Sequence, residues 1–512
     1  MKGSRKVTAA GLTRRDTLKL SGLTLGGVAV AGLGRAGAEC TDVGRCYPTD
    51  TPTQQYSYFD SLYQLPRNTP LDPDEMRITF MGSEIPPVRR AQQEMSIFVE
   101  VGWDEERKRP LDQFVFDCGS GVCSNYGAAG VSYGRMDKIF LCHLHGDHMS
   151  DLAHIYCFGP AADRKTPLYV WGPGPTGLVY TDPEGRVSGP YDDGTKVFCE
   201  TLRQAMRWHT ESFSFETTSL QDYQRPTRTS WGLPHDPVPV GDDPDDDGYA
   251  LVPIELPWRT PGAVAYDNPA TGVRITSFPV IHCRQGSVGY KLEWNGLSMI
   301  YTSDTRPETN CIDQAKNGGA GVDVFIHEMV PPPEIWAMKT LRLPAPLPYP
   351  GPDFWKDAVD NLARVQQSSH TPQGAFGYIL SQIHPRPRLT VATHFPTADD
   401  TVECALQSVQ AQCPWARLGR NIVWSFDLMT LSVTPKEISQ RRLRVNDFGW
   451  SPLFGSAGAT KPPKYWTWEV DEQGNPVLDE DGNPKKVGDP VAQLDLSTLI
   501  EAGPDTYCED GY

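Results

Sequence analysis

Residues 142–151 read CHLHGDHMSD, with three histidines and an aspartate inside six positions. Neutral imidazole nitrogens and a carboxylate oxygen are ligands that zinc favours. Two ligands one residue apart, His143 and His145, followed by two adjacent ones, Asp147 and His148, can serve two ions from one loop. The preceding DKIFLC has the apolar run of a buried strand, so these side chains fall on the loop at its carboxyl end, where α/β sheets gather their sites. Gly146 is expected to let the loop turn tightly. None of the twelve cysteines forms a CxxC pattern, and Cys142 and Cys283 read as small core residues.

The elements that must position this loop are short apolar runs separated by turn residues. From about residue 77 come RITFMGS, MSIFVEVG, DQFVFDCGSG and DKIFLC. Then follow VRITSFPVIHC, a hairpin YKLEWNGLSMIYTSDT turning at Asn295-Gly296, VDVFIHEM and RLTVATHF. Helical periodicity is clearest in FWKDAVDNLARVQQ, with Trp355, Val359 and Leu362 on one face. Strands followed by strands mixed with helices predict layered α/β packing. Residues 175–270, rich in Pro, Gly, Asp and aromatics, read as an insertion with one helix around GTKVFCETLRQAMRWH. Its Trp208, Trp231 and Trp258 suit either a wall over the metals or the insertion's own core. Its DDPDDDG, with Asp243, Asp245 and Asp247, opens like a calcium loop but has Ile254 at the twelfth position, so a solvated acidic loop is expected. From 436 to 512 the chain is polar and Pro-rich and repeats D-x-x-G-N-P turns at a period of eight.

In this order the motifs resemble the metallo-β-lactamase superfamily, most closely its ribonuclease Z branch. HLHGDH matches the H-x-H-x-D-H signature, FDCGSG resembles the strand carrying a structural aspartate at Asp117, and VIHCRQGSVGY resembles the segment supplying His282. YTSDTRP resembles the bridging-aspartate motif at Asp304, FIHEM a His-Glu motif at His327 and Glu328, HTPQGAFG a later motif at His370, and ATHF the final ligand at His394. The resemblance covers roughly residues 77–430 and implies a four-layer αββα sandwich for 77–435, with the insertion and a C-terminal extension. It implies one zinc on His143, His145 and His282 and another on Asp147, His148 and His394, with Asp304 bridging; manganese and iron are alternatives. The water on such a zinc has a pKa lowered to about 7, which provides a nucleophile. The resemblance also implies catalytic roles for Asp147, for His327 as a general acid oriented by Glu328, and for His370 in binding an anionic oxygen. TSDT in place of Ser-Gly-Asp-Thr, FDCGSGVC and HEMVPPP depart from the branch.

Arg14 and Arg15 in TRRDTLKL, the apolar run SGLTLGGVAVAGLG and the small residues Ala36-Gly37-Ala38 read as a twin-arginine export signal over 1–38. The mature chain from 39 is then expected to be periplasmic or secreted, with no lasting membrane anchor. Cys40 with Cys46 and Cys404 with Cys413 become candidate disulfides. The formal charge of -17 argues against a nucleic-acid partner, because phosphate backbones are held mainly by Lys and Arg. The expectation is an exported dinuclear zinc hydrolase for a small-molecule ester, with phosphorus or sulfur esters ahead of carboxylic esters, lactones and β-lactams. A mononuclear iron dioxygenase and a non-enzymatic binding protein are the rival classes, and a homodimer stays open.

Overall fold

The computed structural model describes residues 64–214, 248–341, 353–397, 401–445, 466–492 and 494. The export segment, Cys40, Cys46, Trp231 and the Asp243–Asp247 loop lie outside the described residues. Among the described residues, sixteen strands build the two main sheets. They are β1 (Gln64–Pro66), β2 (Met76–Gly82), β3 (Ser96–Val101), β4 (Asp112–Phe116), β5 (Lys138–Phe140), β6 (Leu168–Pro173), β7 (Leu251–Leu256), β8 (Ala263–Asn268), β9 (Val273–Pro279), β10 (Val288–Trp294), β11 (Leu297–Tyr301), β12 (Val324–Glu328), β13 (Leu389–Thr393), β14 (Ile422–Trp424), β15 (Met429–Val433) and β16 (Ile438–Arg444).

One sheet has the order β1-β16-β15-β2-β3-β4-β5-β6-β7 and the other β8-β9-β10-β11-β12-β13-β14. Each sheet is antiparallel through its hairpins and becomes parallel from β4 to β7 and from β11 to β14. Parallel neighbours need crossover connections. Here these carry α1 (Val122–Ala129), α2 (Leu152–Phe158), α3 (Thr195–Ala205), α4 (Thr309–Lys316), α5 (Gln373–Gln382) and α6 (Val402–Gln412).

Alternation along the strands decides which layer each side chain joins. Ile97, Val99, Phe114 and Phe116 of the first sheet meet Ile275, Tyr290, Leu292 and Met299 of the second. Phe98 and Val115 point the other way, onto Tyr126, Leu152 and Ile155 of α1 and α2. On the second sheet Ile300, Phe325 and Ala392 face Phe376, Ile379 and Val409 of α5 and α6. The result is a four-layer αββα sandwich.

The structure differs from the expected boundaries at the sheet edges. β7 and β8 lie inside 175–270 yet extend one edge of each sheet, while β1 and β16 close the opposite edge of the first. Pro253 in β7 weakens its strand signature, but an edge strand tolerates a residue without an N–H. The expected insertion helix is split into α3 and Arg207–Ser214 around Met206. Trp208 is 83% exposed. Trp258 is half-buried, donates to the Pro175 carbonyl at 3.1 Å and carries Arg259 over its ring at 3.8 Å. The repeated tail turns are Asx turns: Asp471 Oδ1 accepts from the Gln473 and Asn475 amides, and Asp479 Oδ1 from those of Asp481 and Asn483. Cys413 is a free, buried thiol, so the pairing with Cys404 is not formed. Among the described residues, no helix is long and apolar enough to cross a membrane.

Phe140 stacks on Trp171 at 4.5 Å between the two sheets and is fully buried. Phe140→Ala is expected to lower unfolding stability by about 3–5 kcal/mol in urea titration. Val264→Ala, at a side chain 49% exposed, should shift it by less than about 0.5 kcal/mol. Equal effects would contradict the inter-sheet core.

Candidate metal centre

The carboxyl ends of β4, β5, β9, β11, β12 and β13 and the connections that follow them carry the predicted site residues. After β5, Leu141 and Cys142 lead into His143 and His145, and a one-turn helix Gly146–Met149 presents Asp147 and His148. Gly146 itself has room for a Cβ, with only Ser150 Oγ at 3.5 Å, and its φ is not left-handed. The glycine that matters is Gly119, whose Cβ would lie 2.1 Å from the Asp147 carbonyl. That clash leaves no space for a side chain where the loop after β4 crosses under the metal loop.

Seven predicted ligands converge. The donor atoms of His143, His145 and His282 lie within 4.8 Å of one another, as do those of Asp147, His148, Asp304 and His394. His145 Nδ1 stands 3.1 Å from His143 Nε2 and 3.1 Å from His282 Nε2. Nitrogens about 3.3 Å apart are what tetrahedral bonds of about 2.0–2.1 Å require. Asp304 faces both groups. Its Oδ2 is 3.7 Å from His282 Nε2 and 4.0 Å from His143 Nε2, while its Oδ1 is 3.3 Å from His148 Nε2 and 3.6 Å from His394 Nε2. Asp147 Oδ2 lies 3.2 Å from His394 Nε2 and 3.4 Å from His148 Nε2.

The surroundings set the state of each donor. His282 Nδ1 donates to the Ser369 carbonyl at 3.0 Å, which leaves Nε2 with its lone pair toward the cluster. His148 Nδ1 donates to Asp117 Oδ2 at 2.8 Å, and among the described residues neither its buried Nε2 nor Asp304 Oδ1 has a hydrogen-bond partner. Such unpartnered buried donor and acceptor atoms, facing one another, fit a cation. Burial holds His143, His145 and His282 below the ordinary imidazole pKa, so they rest as the neutral form that ligation needs. For His148, burial works the same way but is outweighed by Asp304, Asp147 and Asp117, which draw positive charge to this end of the site. Despite its burial, Asp304 is held well below the usual carboxylate range by His394 and His148.

Asp117 is the anchor under this cluster. Its Oδ1 accepts the Cys142 amide at 2.8 Å, and its Oδ2 accepts Tyr301 Oη at 2.8 Å besides His148. Asp117, Ser303 and His394 all take left-handed φ values, of 56°, 55° and 52°. Strain of this kind gathers where the surrounding structure over-determines a functional loop.

The His-Glu motif divides. Val324, Ile326 and Glu328 of β12 point between the sheets, whereas Phe325 and His327 point outward. His327 is fully buried beneath α5 against Phe376, with ring centroids 5.3 Å apart, and its Nδ1 donates to the Glu328 carbonyl. It is thus turned away from the donor groups beside which the general acid expected from the sequence would stand. His370 stands in the site instead. Its ring lies parallel to that of His394 with centroids 5.5 Å apart, and its Nδ1 donates to Glu328 Oε1 at 2.9 Å and lies 3.8 Å from Asp304 Oδ2. Burial opposes its charge, but Glu328 and Asp304 raise its pKa to about 10. The period of two along VFIHE, applied to the side-chain directions, signals that His327 and Glu328 face opposite layers.

Asp117→Asn removes the acceptor that fixes the His148 tautomer. It is expected to weaken metal affinity by about 10–100-fold in chelator competition. Unchanged affinity would show that Asp117 serves only the fold.

No protein-family model matches the chain. It is 24% identical over 267 residues to ribonuclease BN of Proteus mirabilis, covering 49% of this chain and 76% of that relative. It is 27% identical over 225 residues to ribonuclease Z of Halalkalibacterium halodurans, covering 42% and 65%. Over 119 residues it is 29% identical to ribonuclease Z of Treponema denticola, covering 23% and 38%, so part of the matched relatives lies outside the similarity. Among solved structures, the metallo-β-lactamase fold protein YhfI of Bacillus subtilis aligns with a TM-score of 0.40 at 12% identity, over 70% of this chain and 100% of that one. The short form of human tRNase Z aligns with a TM-score of 0.38 at 15% identity, over 69% and 98%. With the αββα topology and the strand-end histidines and aspartates, these sequence relatives make the chain similar to metallo-β-lactamase-fold hydrolases of the ribonuclease Z-like branch.

Proposed function

We propose that this chain is an exported, dinuclear zinc phosphodiesterase that cleaves RNA. The observation that carries the reading is the Glu328–His370 pair, a carboxylate-buttressed imidazole beside the carboxylate shared by two donor groups. With Nδ1 committed to Glu328, His370 keeps Nε2 for a proton that passes to the leaving oxygen. A ribose alkoxide is a poor leaving group, and such a donor is what it needs. His143, His145 and His282 would hold one ion and Asp147, His148 and His394 the other, with Asp304 between them. An all-nitrogen-and-oxygen set rich in histidine suits zinc. Zinc supplies Lewis acidity that brings the pKa of water from roughly 15.7 to about 7 and offsets charge on a phosphoryl oxygen. Asp147, whose Oδ2 lies beside His148 and His394, offers a carboxylate oxygen to orient the attacking water.

This reading replaces the expectation of a small-molecule ester and no nucleic acid, which the ribonuclease relatives overturn. The charge argument failed because net charge does not describe one face. Residues 175–270 hold 16 acidic against 7 basic side chains and residues 436–512 hold 14 against 8, so the rest of the chain carries only two of the seventeen excess negative charges. Local fields, not the total, decide what a site attracts.

His370→Ala in the zinc-loaded protein is expected to slow cleavage of single-stranded RNA by about 10²–10⁴-fold, with a much smaller effect on bis(p-nitrophenyl) phosphate, whose leaving group needs little protonation. His327→Ala should lower thermal stability with no such leaving-group dependence. Equal slowing of both substrates by His370→Ala would remove it as the acid. Replacing Arg14 and Arg15 by Lys should retain the chain in the cytoplasmic fraction of a host with twin-arginine transport, and undiminished export would refute that part of the proposal.

A further inference from the structure

Arg284, on the loop of His282, is already neutralised by Asp193. Arg306 differs. It lies two residues beyond Asp304, and its backbone amide donates to the Ile281 carbonyl, next to His282. Its Nη1 donates to the His370 carbonyl at 2.9 Å. Arg306 makes no ion pair among the described residues, and its Nε and Nη2 have no partner and are not buried.

Among the histidines of the centre, three carboxylates, Asp147, Asp304 and Glu328, contribute donor atoms to it. A phosphodiester carries a negative charge at every residue of the strand, so its approach is opposed wherever bound cations do not cancel those carboxylates. The geometry points to Arg306 as the residue that binds a phosphate of the substrate strand on the leaving-group side of the scissile bond, the side on which His370 stands. This inference rests on the phosphodiesterase reading and adds a specificity determinant to it. A guanidinium offers paired donors in a plane that match two phosphate oxygens. Its one bond to the protein runs to the backbone of His370, so a phosphate bound there fixes the strand relative to the acid. A neutral carboxylic ester or lactone gains nothing from this contact.

The test measures kcat/KM of the zinc-loaded protein on a single-stranded RNA 12-mer across a salt series, and on bis(p-nitrophenyl) phosphate, which has no neighbouring phosphate. Wild type, Arg306→Ala and Arg306→Lys are compared, with zinc content and melting temperature as checks that the site and fold persist. Arg306→Ala is expected to lower kcat/KM on RNA by on the order of tenfold at low salt. It should flatten the slope against log salt by about 0.7, the loss of one phosphate contact on a single strand. Its loss on bis(p-nitrophenyl) phosphate should be several-fold smaller, and Arg306→Lys should restore the slope but not the full rate. RNA cleavage by wild type with an unchanged slope in Arg306→Ala overturns the role of Arg306 alone. Failure of wild type to cleave RNA overturns the phosphodiesterase reading and this role with it.

Discussion

The buried carboxylate of Asp117 is the contact on which the site depends. It follows β4 of the first sheet, accepts Tyr301 from the second, accepts the Cys142 amide where the metal loop begins, and fixes the tautomer of His148. A buried carboxylate is tolerated only when its oxygens are satisfied. Here the groups that satisfy it are those that must be held in place for metal binding, so the sheet interface and the donor geometry are set by one residue.

Around that anchor the protein separates charge. Three imidazoles on one side are held below the ordinary imidazole range by desolvation, while Asp304, Asp147 and Asp117 draw positive charge toward His148 on the other. The arrangement leaves buried donor and acceptor atoms facing one another with no proton to satisfy them all. A rigid frame is needed to keep them there. The left-handed residues Asp117, Ser303 and His394 sit at the ends of strands whose cores are fully packed, so the surrounding sheets hold the strain.

The sandwich explains why so much of the chain can vary in character without touching the centre. The acidic tail and the acidic stretch of 175–270 carry most of the charge, whereas the strand ends from β4 to β13 carry the chemistry. The whole-chain charge therefore misdirected the substrate argument. Close to Asp304 in space, His370, Glu328 and Arg306 belong to one bonded group.

The sequence by itself determined the ligand types and their spacing, because a loop of six residues fixes which donors can share an ion. It also determined the inward strands, whose apolar runs are legible as a local pattern. The edge strands β7 and β8 were not legible, since an edge with proline or polar residues lacks that pattern until a neighbour supplies its hydrogen bonds. Only the tertiary structure decided which of these histidines stands beside the donor groups. His327 and Glu328 are adjacent in sequence, but a strand sends neighbours to opposite faces, and Glu328 meets His370 across 42 residues of chain only when β12 and the loop before α5 are packed together.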